Sequence, residues 1–220
     1  MSREIQTYFL LFIFYGVVGW IIEVVRCFLK YGKLINRGFL IGPYLPIYGV
    51  GGLSVLFVYR EFSDKYYLPF LIAIIDAAVL EYLTSYIMEK VFGARWWDYS
   101  DRKFNIDGRI CAENIVGFGF LSFIILYFGN PLFFRTISSI SDESLKLLSY
   151  AILIVFLLDY IISFTILKHI KKSAERIKAD NTEEMHKLVI ETIKEKSWKY
   201  RRVFNAFPNF TFLTTIGKKK

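Results

Sequence analysis

Long apolar runs alternate with short polar connections along the chain. Four of these runs approach or exceed the roughly 20 residues that an α-helix needs to cross a bilayer, and they cover residues 5–28, 67–91, 114–134 and 145–167. A fifth run, over 38–59, is equally apolar but contains glycine and proline. Because the apolar residues form continuous blocks, the pattern predicts helices and not the alternating strands of a barrel. We therefore expect an all-α, polytopic transmembrane helical bundle of about five spans, the second of them broken.

The broken run contains the most informative residues of the sequence. It places Gly42, Pro43 and Pro46 in a charge-free stretch that continues to Gly52. Proline lacks an N–H and glycine disfavours a helix, so the amides and carbonyls over 42–52 need partners outside their own helix. Within a membrane such backbone is tolerated where protein encloses it or where it lines a wet cavity. The alternative is an interfacial loop followed by a short helix over 47–59.

Composition agrees with a membrane protein, since 55% of the 220 residues are hydrophobic and 19% are aromatic. The net charge of +8 comes entirely from the C-terminal part. From Lys168 onward, 14 basic residues stand against six acidic ones, whereas charges balance over residues 1–167. This boundary divides the chain into a transmembrane helical domain, 1–167, and a basic cytosolic helical tail, 168–220.

Apolar residues recur in the tail at three- and four-residue spacing, at 167, 170, 174 and 177 and again at 185, 188, 189 and 192. The spacing predicts two amphipathic helices. A basic helix beside a membrane is attracted to anionic lipid by roughly 1 kcal/mol per Lys or Arg, so anionic lipid is an expected partner of the tail. A solvated helix that only orients the protein is the alternative. No base-reading motif accompanies the charge, and we expect no nucleic-acid partner.

The distribution of basic residues sets the expected orientation. With five spans the termini lie on opposite sides, and the connections after the first and third spans, like the tail, are rich in Lys and Arg. Basic connections stay in the cytoplasm. We therefore expect a multi-pass protein of the cytoplasmic membrane with its N-terminus outside and its C-terminus cytoplasmic. A re-entrant second run would change this parity.

Carboxylates inside the apolar runs are the next signal. They are Glu23, Asp76, Glu81 and Asp159. An ionised acid at the middle of a lone helix costs about 2.5–3.5 kcal/mol on insertion scales, so such residues face the bundle interior. They predict a substrate or ion path, a role we favour for Glu81 and Asp159. The alternative is a set of ion pairs between helices, which we favour for Glu89 and Glu113. The candidate basic partners are Arg26, Arg37, Arg95 and Arg109.

The connection over 92–110 combines aromatic residues with charges of both signs. Two adjacent tryptophans fit an aromatic belt at the headgroups, but a belt does not explain the density of paired charges. We expect an ordered cytoplasmic loop that packs against Asn36 and Arg37 and docks a partner. Its candidate docking residues are Arg95, Trp96, Trp97, Asp98, Tyr99, Asn105, Asp107 and Arg109.

Several chemistries are excluded by residues that the sequence lacks. Its two histidines, His169 and His186, lie in the tail, which leaves no histidine triad or histidine metal site among the spans. No GxxxxGK[ST] motif occurs, so an ATP-driven step needs a separate ATPase subunit. We expect no cofactor and no metal site, and we favour a non-enzymatic role. The oligomeric state is not readable from these patterns.

Seven segments together carry a family resemblance. They are residues 19–23 (GWIIE), 36–43 (NRGFLIGP), 46–49 (PIYG), 80–82 (LEY), 88–93 (MEKVFG), 95–100 (RWWDYS) and 105–111 (NIDGRIC). In this order they resemble the bacterial membrane family of type IV ABC-transporter permeases, over roughly residues 10–125. The fifth span and the tail carry none of its motifs. The resemblance implies a multi-span, permease-like protein of the cytoplasmic membrane.

These observations favour a transport subunit in which the broken run lies beside buried acids and forms a polar pocket. The candidate pocket residues are Glu23, Asn36, Arg37, Gly42, Pro43, Pro46, Tyr48, Glu81 and Asp159. One alternative is an intramembrane enzyme that acts on a lipid headgroup, with a carboxylate as acid or base and arginine holding phosphate. Another is a scaffold that binds a second membrane complex.

Overall fold

The computed structural model describes residues 1–61, 65, 67–176, 197–207 and 210–212, and this part of the chain is mainly helical. The helices are α1 (Arg3–Tyr31), α2 (Pro46–Glu61), α3 (Tyr67–Phe92), α4 (Ala112–Ile124), α5 (Asn130–Ser138), α6 (Asp142–Arg176) and α7 (Trp198–Ala206). A π-helical turn, Ile125–Gly129, joins α4 to α5. Two short strands, β1 (Ala94–Arg95) and β2 (Thr211–Phe212), pair in antiparallel fashion, with Ala94 opposite Phe212.

Four helical segments in the described ranges are long and apolar enough to cross a membrane: α1, α3, α4 through α5, and α6 as far as Ser173. They match the four uninterrupted runs of the sequence. A fifth span is not confirmed, because α2 has 16 residues and is therefore about 24 Å long at 1.5 Å per residue. The first part of the broken run, up to Leu45, is not helical.

Contacts between residues far apart in the chain define two distinct ends of the bundle. At one, which we call the amino end, Arg3 pairs with Asp142 and donates to the carbonyl oxygens of Ile137 and Ile140. The other, the tail end, gathers three segments: residues 32–45, the loop 93–111 and the C-terminal residues 197–207 and 210–212. There the Arg202 guanidinium donates to the Gly38 oxygen at 3.1 Å and to the Phe39 oxygen at 2.7 Å.

Glycines allow α1 and α2 to pack closely. A Cβ on Gly19 would overlap the ring of Tyr48, and one on Gly52 would overlap the ring of Tyr15. Small residues serve this purpose between membrane helices, where close approach of backbones supplies the packing energy. The expectation of broken backbone over 42–52 is therefore wrong beyond Leu45: from Pro46 the chain is a regular helix, which proline is well suited to begin.

The tail end has an aromatic core of its own. Phe207 stacks on Phe39 at a centroid distance of 4.6 Å and meets Trp96 edge-on at 5.2 Å, while Phe210 contacts Trp96 at 4.6 Å. Val203 and Phe204 of α7 belong to the same buried cluster. Of the two predicted tail helices, the first is the continuation of α6 through Arg176. The second, over 185–192, lies outside the described residues.

Candidate functional site

The irregular stretch 36–45 is held against the bundle by side chains of α6 and α1. Asp159 accepts hydrogen bonds from the backbone N–H of Ile41 at 2.9 Å and of Gly42 at 2.7 Å. It also accepts from the hydroxyls of Tyr44 at 2.6 Å and Ser163 at 2.8 Å. Four donors fill the acceptor capacity of this carboxylate. Asp159 thus supplies the partners that the non-helical amides cannot find in their own segment.

Both ends of the stretch are also tied to α1. The Trp20 indole donates to Asn36 Oδ1 at 2.7 Å, and Asn36 Nδ2 donates to the Ile41 oxygen at 2.8 Å. At the other end the Leu45 N–H donates to the Gly16 oxygen at 2.9 Å. Since Gly16 lies near the middle of α1, the stretch enters the bundle to about half its depth before α2 begins.

Glu23 of α1 is the centre of a second polar cluster. Its carboxylate accepts from Arg26 at 3.0 Å and from the Tyr48 hydroxyl at 2.9 Å, and it lies 3.7 Å from the Arg37 guanidinium. Arg26 also donates to Asn114 Oδ1 at 3.3 Å, and Arg37 donates to the Ala206 oxygen. The cluster connects α1, α2, α4 and the C-terminal residues at one point.

Glu81 of α3 is a buried carboxyl with one unsatisfied oxygen. Only 7% of the surface of Glu81 is exposed. One oxygen, Oε1, accepts from the Tyr99 hydroxyl at 3.1 Å, while Oε2 is buried without a hydrogen-bond partner among the described residues. An unsatisfied buried acceptor is costly, and such a group calls for an explanation such as a bound donor.

A cavity of about 420 Å³ lies beside these carboxyls. That volume is within the range of about 300–1,000 Å³ that is typical of ligand pockets. Its polar lining consists mainly of Glu23, Arg26, Arg37, Glu81, Tyr99 and Asn114. The rest is largely apolar and comes from α2, α3, α4 and α6, including Ile47, Leu80, Phe118, Phe164 and Leu167. The cavity therefore combines a largely apolar lining with a small number of charged and polar side chains.

Two smaller cavities adjoin the large one. An outer chamber of about 190 Å³ shares Glu23, Arg26 and Arg37 with it and reaches exposed charges at the tail end, where the Arg26 side chain is 53% exposed. An inner cavity of about 50 Å³ shares Glu81 and adds Asp76. Glu81 thus lies where the large cavity meets the inner one.

The loop 93–111 covers a polar stripe on α3 that consists of Glu81, Ser85 and Glu89. Arg109 donates to Glu89 at 2.8 Å and to Ser85 Oγ at 3.0 Å, and Arg95 lies 3.4 Å from the same glutamate. In the same way, the Tyr99 hydroxyl of the loop donates to Glu81. Burial and the charge of Glu81 raise the pKa of Tyr99 above its ordinary value, so its phenol remains a neutral donor. Glu89 thus pairs with both Arg95 and Arg109, as the ion-pair alternative predicts for this residue.

The remaining loop residues are mostly bonded within the loop. The Trp97 indole donates to the Arg109 oxygen at 3.0 Å, Asn105 Oδ1 accepts from the Gly108 N–H at 3.1 Å, and Asp107 accepts from Tyr82 at 2.8 Å. Burial tends to raise the pKa of Asp98, but hydrogen bonds from Ser100 and the charge of Arg95 outweigh it, so this pKa lies below its ordinary value. The predicted ordered loop is present, and it contacts the stretch 36–45 through Phe39 and Trp96.

The structure brings together most of the predicted pocket residues, in two groups. Glu23, Arg37, Pro46, Tyr48 and Glu81 line the large cavity. Asn36, Gly42 and Asp159 instead form the anchor of the irregular stretch, and Pro43 is exposed. Arg26 and Asn114 line the cavity without having been predicted there, and Asn114 carries no sequence signal because it is a lone amide at the start of a helix.

The family described as Putative ABC-transporter type IV matches residues 10–164. This match spans well over half of the 220 residues. The chain belongs to this family. The family match and the four long apolar helices together indicate a multi-pass membrane protein of an ABC-transporter family. The motifs in the sequence imply the same family. The matched region extends beyond the motif-bearing residues to include Asp159. No curated protein and no solved structure matches the chain.

Proposed function

We propose that this protein is a permease-like transport subunit whose substrate occupies the large cavity beside Glu23, Arg37 and Glu81. The observation that carries the proposal is the position of the cavity, whose lining includes two acidic side chains and residues of the irregular stretch 36–45. Discontinuous helices at the middle of a bundle form the binding sites of many transporters. The family supports a transport role.

Access from water to the cavity is from the tail end in this conformation. The outer chamber reaches exposed charges there, whereas a buried cluster closes the side toward the amino end. This cluster comprises Leu11, Tyr15, Val55, Leu56, Ala73 and Leu126. We place the tail end in the cytoplasm, because its connections carry the basic residues. The stretch 36–45 together with α2 then completes a broken second passage, giving five in all, and the N-terminus lies outside.

An ATPase subunit is the energy source that we propose, since the chain has no phosphate-binding motif of its own. The tip of the loop 93–111 is available for docking it: Phe104 is 85% exposed and Ile106 is 56% exposed. The loop residues at its base are engaged with α3, so they support the tip. Basic side chains of α6, Lys168 among them, lie at the same end and would face anionic lipid.

The test is transport by reconstituted protein. Vesicles that contain the chain and its ATPase are loaded with a small-molecule extract of the producing cell, and mass spectrometry identifies the solutes that move when ATP is added. We expect Glu81→Gln to lower the flux at least about tenfold, because it removes a charge that contacts the substrate. Glu113→Gln is the matched control, since that carboxylate is 67% exposed and pairs with Arg102 at the rim.

Equal flux in wild type and Glu81→Gln would rule out the pocket. A chemically altered lipid pool in a deletion strain, with no solute moved, would instead support the enzyme alternative. A stoichiometric membrane partner together with indifference to Glu81→Gln would support a scaffold.

A further inference from the structure

The chemistry of the cavity depends on the unpaired oxygen of Glu81. Oε2 is buried and has no hydrogen-bond partner among the described residues, and the Glu81 side chain is part of the lining of a cavity large enough for a ligand. A carboxylate oxygen is only an acceptor. The complement of this position is therefore a group that donates a hydrogen bond.

Among the described residues Glu81 makes no ion pair within 4.0 Å, and Arg26 attracts its carboxylate only from a longer distance. Arg26 and Arg37 both pair with Glu23. Arg95 and Arg109 both pair with Glu89. A buried charge without a counter-ion is strongly unfavourable unless it takes a proton or a cation. A cationic donor satisfies both the charge and the unpaired oxygen.

Aromatic side chains line the same cavity. Tyr48, Trp97, Tyr99 and Phe118 all line the cavity with Glu81. The faces of aromatic rings attract cations, and the attraction increases where water is excluded. The wall next to Glu81 thus favours a positively charged group over an anion of the same size.

The remaining surface of the cavity suits an apolar body. Leu80, Phe164 and Leu167 line it, and so do Val50 and Tyr160, which are 44% and 50% exposed on the outside of the bundle. The cavity therefore extends to the lateral surface between α2 and α6, which faces lipid in a membrane. An amphiphile dissolved in the bilayer can enter by this route with its charged end directed toward Glu81.

We propose that the transported substrate is a cationic amphiphile, a protonated amine attached to an apolar body, with the ammonium group on Glu81 and the apolar body against α3 and α6. This inference rests on the proposed function and names the substrate class of the same cavity. The arginines near Glu23 do not oppose it with a net positive charge, because the two guanidinium groups of Arg26 and Arg37 are balanced by the two carboxylates of Glu23 and Glu81.

The test uses three probes with the same alkyl chain and different end groups: octylamine, octanol and octanoate. Binding to the full chain in lipid nanodiscs is measured by calorimetry, with empty nanodiscs subtracted. We expect octylamine to bind at least about tenfold more tightly than either of the other probes. Glu81→Gln should abolish that preference, whereas Glu81→Asp should retain part of it and Glu113→Gln should leave it unchanged.

Equal binding of octylamine and octanol would overturn the proposal, because it would show an apolar cavity without charge selection. Preference for octanoate that depends on Arg37 would overturn it in favour of an anionic amphiphile. The comparison of probes on the wild type needs no variant, so a misfolded variant cannot obscure the result. Solute flux that depends on Glu81 without amine binding would leave the transport role intact and refute only this substrate class.

Discussion

Asp159 shows how a charged residue can be required inside an apolar helix for a structural reason. The sequence favours a functional role because an acid within a span is costly. The structure gives it four donors, two of them backbone amides of Ile41 and Gly42. These amides belong to the non-helical stretch, so the carboxylate acts as the partner that a helix would otherwise provide.

Asp159→Ala leaves those two amides unsatisfied within the bundle. We expect the variant to lose about 2–4 kcal/mol of stability and roughly 5–10 °C of Tm, measured by thermal unfolding in detergent. Asp142→Ala is the control, because the Asp142 side chain is 82% exposed and pairs with Arg3 at the surface. That substitution should cost less than about 1 kcal/mol. Equal losses in the two variants would contradict the anchoring role.

Glu23 and Glu81 differ in what the sequence reveals about them. The i,i+3 spacing of Glu23 and Arg26 predicts their pair, and the structure contains it at 3.0 Å. The pairing of Glu89 with Arg109, 20 residues apart, depends on how the loop folds back. The unsatisfied oxygen of Glu81 is invisible in the sequence, because it depends on which donors the fold brings within reach.

Among the elements, α2 departs most from the expectation. Its glycines were expected to disrupt the helix, but Gly49 and Gly52 lie in a regular helix and face the side chains of Phe12 and Tyr15. The same residue type disfavours a helix in isolation and favours close packing between helices. Sequence periodicity cannot separate these effects without knowing the neighbouring helix.

Gly19→Ala tests this packing at the contact of α1 with α2. The added Cβ overlaps the Tyr48 ring, so we expect a loss of about 1–3 kcal/mol and a displaced Tyr48 that no longer bonds Glu23. Gly117→Ala is the matched control, since nothing lies within 4 Å of a Cβ there. It should be neutral or up to about 1 kcal/mol more stable. The measurement is thermal unfolding of both variants. A Gly19→Ala variant as stable as the wild type would contradict the close contact with Tyr48.

The π turn between α4 and α5 is a second feature of the elements that the pattern does not indicate. The apolar run 114–134 predicts one uninterrupted helix. Instead, Ile125–Gly129 forms a π-helical turn. Just beyond it, Asn130 Oδ1 accepts a hydrogen bond from the buried Tyr15 hydroxyl at 2.7 Å. A π turn changes the direction of the side chains that follow it, and here it precedes the amide that accepts from Tyr15, a member of the buried cluster with Leu11.

For the whole molecule, the decisive question is which end of the cavity system is open. The outer chamber reaches exposed charges at the tail end. We propose that the buried cluster with Leu11, Tyr15 and Val55 closes the opposite side.

Cysteine labelling in oriented membrane vesicles measures this directly. The free Cys27 and Cys111 are first replaced by alanine, and single cysteines are placed at 37, 81 and 55. We expect a membrane-impermeant maleimide to label Arg37→Cys and Glu81→Cys only from the tail side, and to leave Val55→Cys unlabelled from both sides. Labelling of position 81 from the amino side alone would contradict the proposed access.

The sequence by itself determined the membrane class, the four full-length helices and the family, because run length, hydropathy and local motifs are properties of neighbouring residues. It also located the acids and the ordered loop. Only the tertiary structure decided which acids are satisfied, where the broken stretch ends and that a cavity lies beside Glu81. Those outcomes depend on contacts between residues far apart in the chain, such as Gly42 with Asp159 and Tyr99 with Glu81. A local pattern does not encode such contacts.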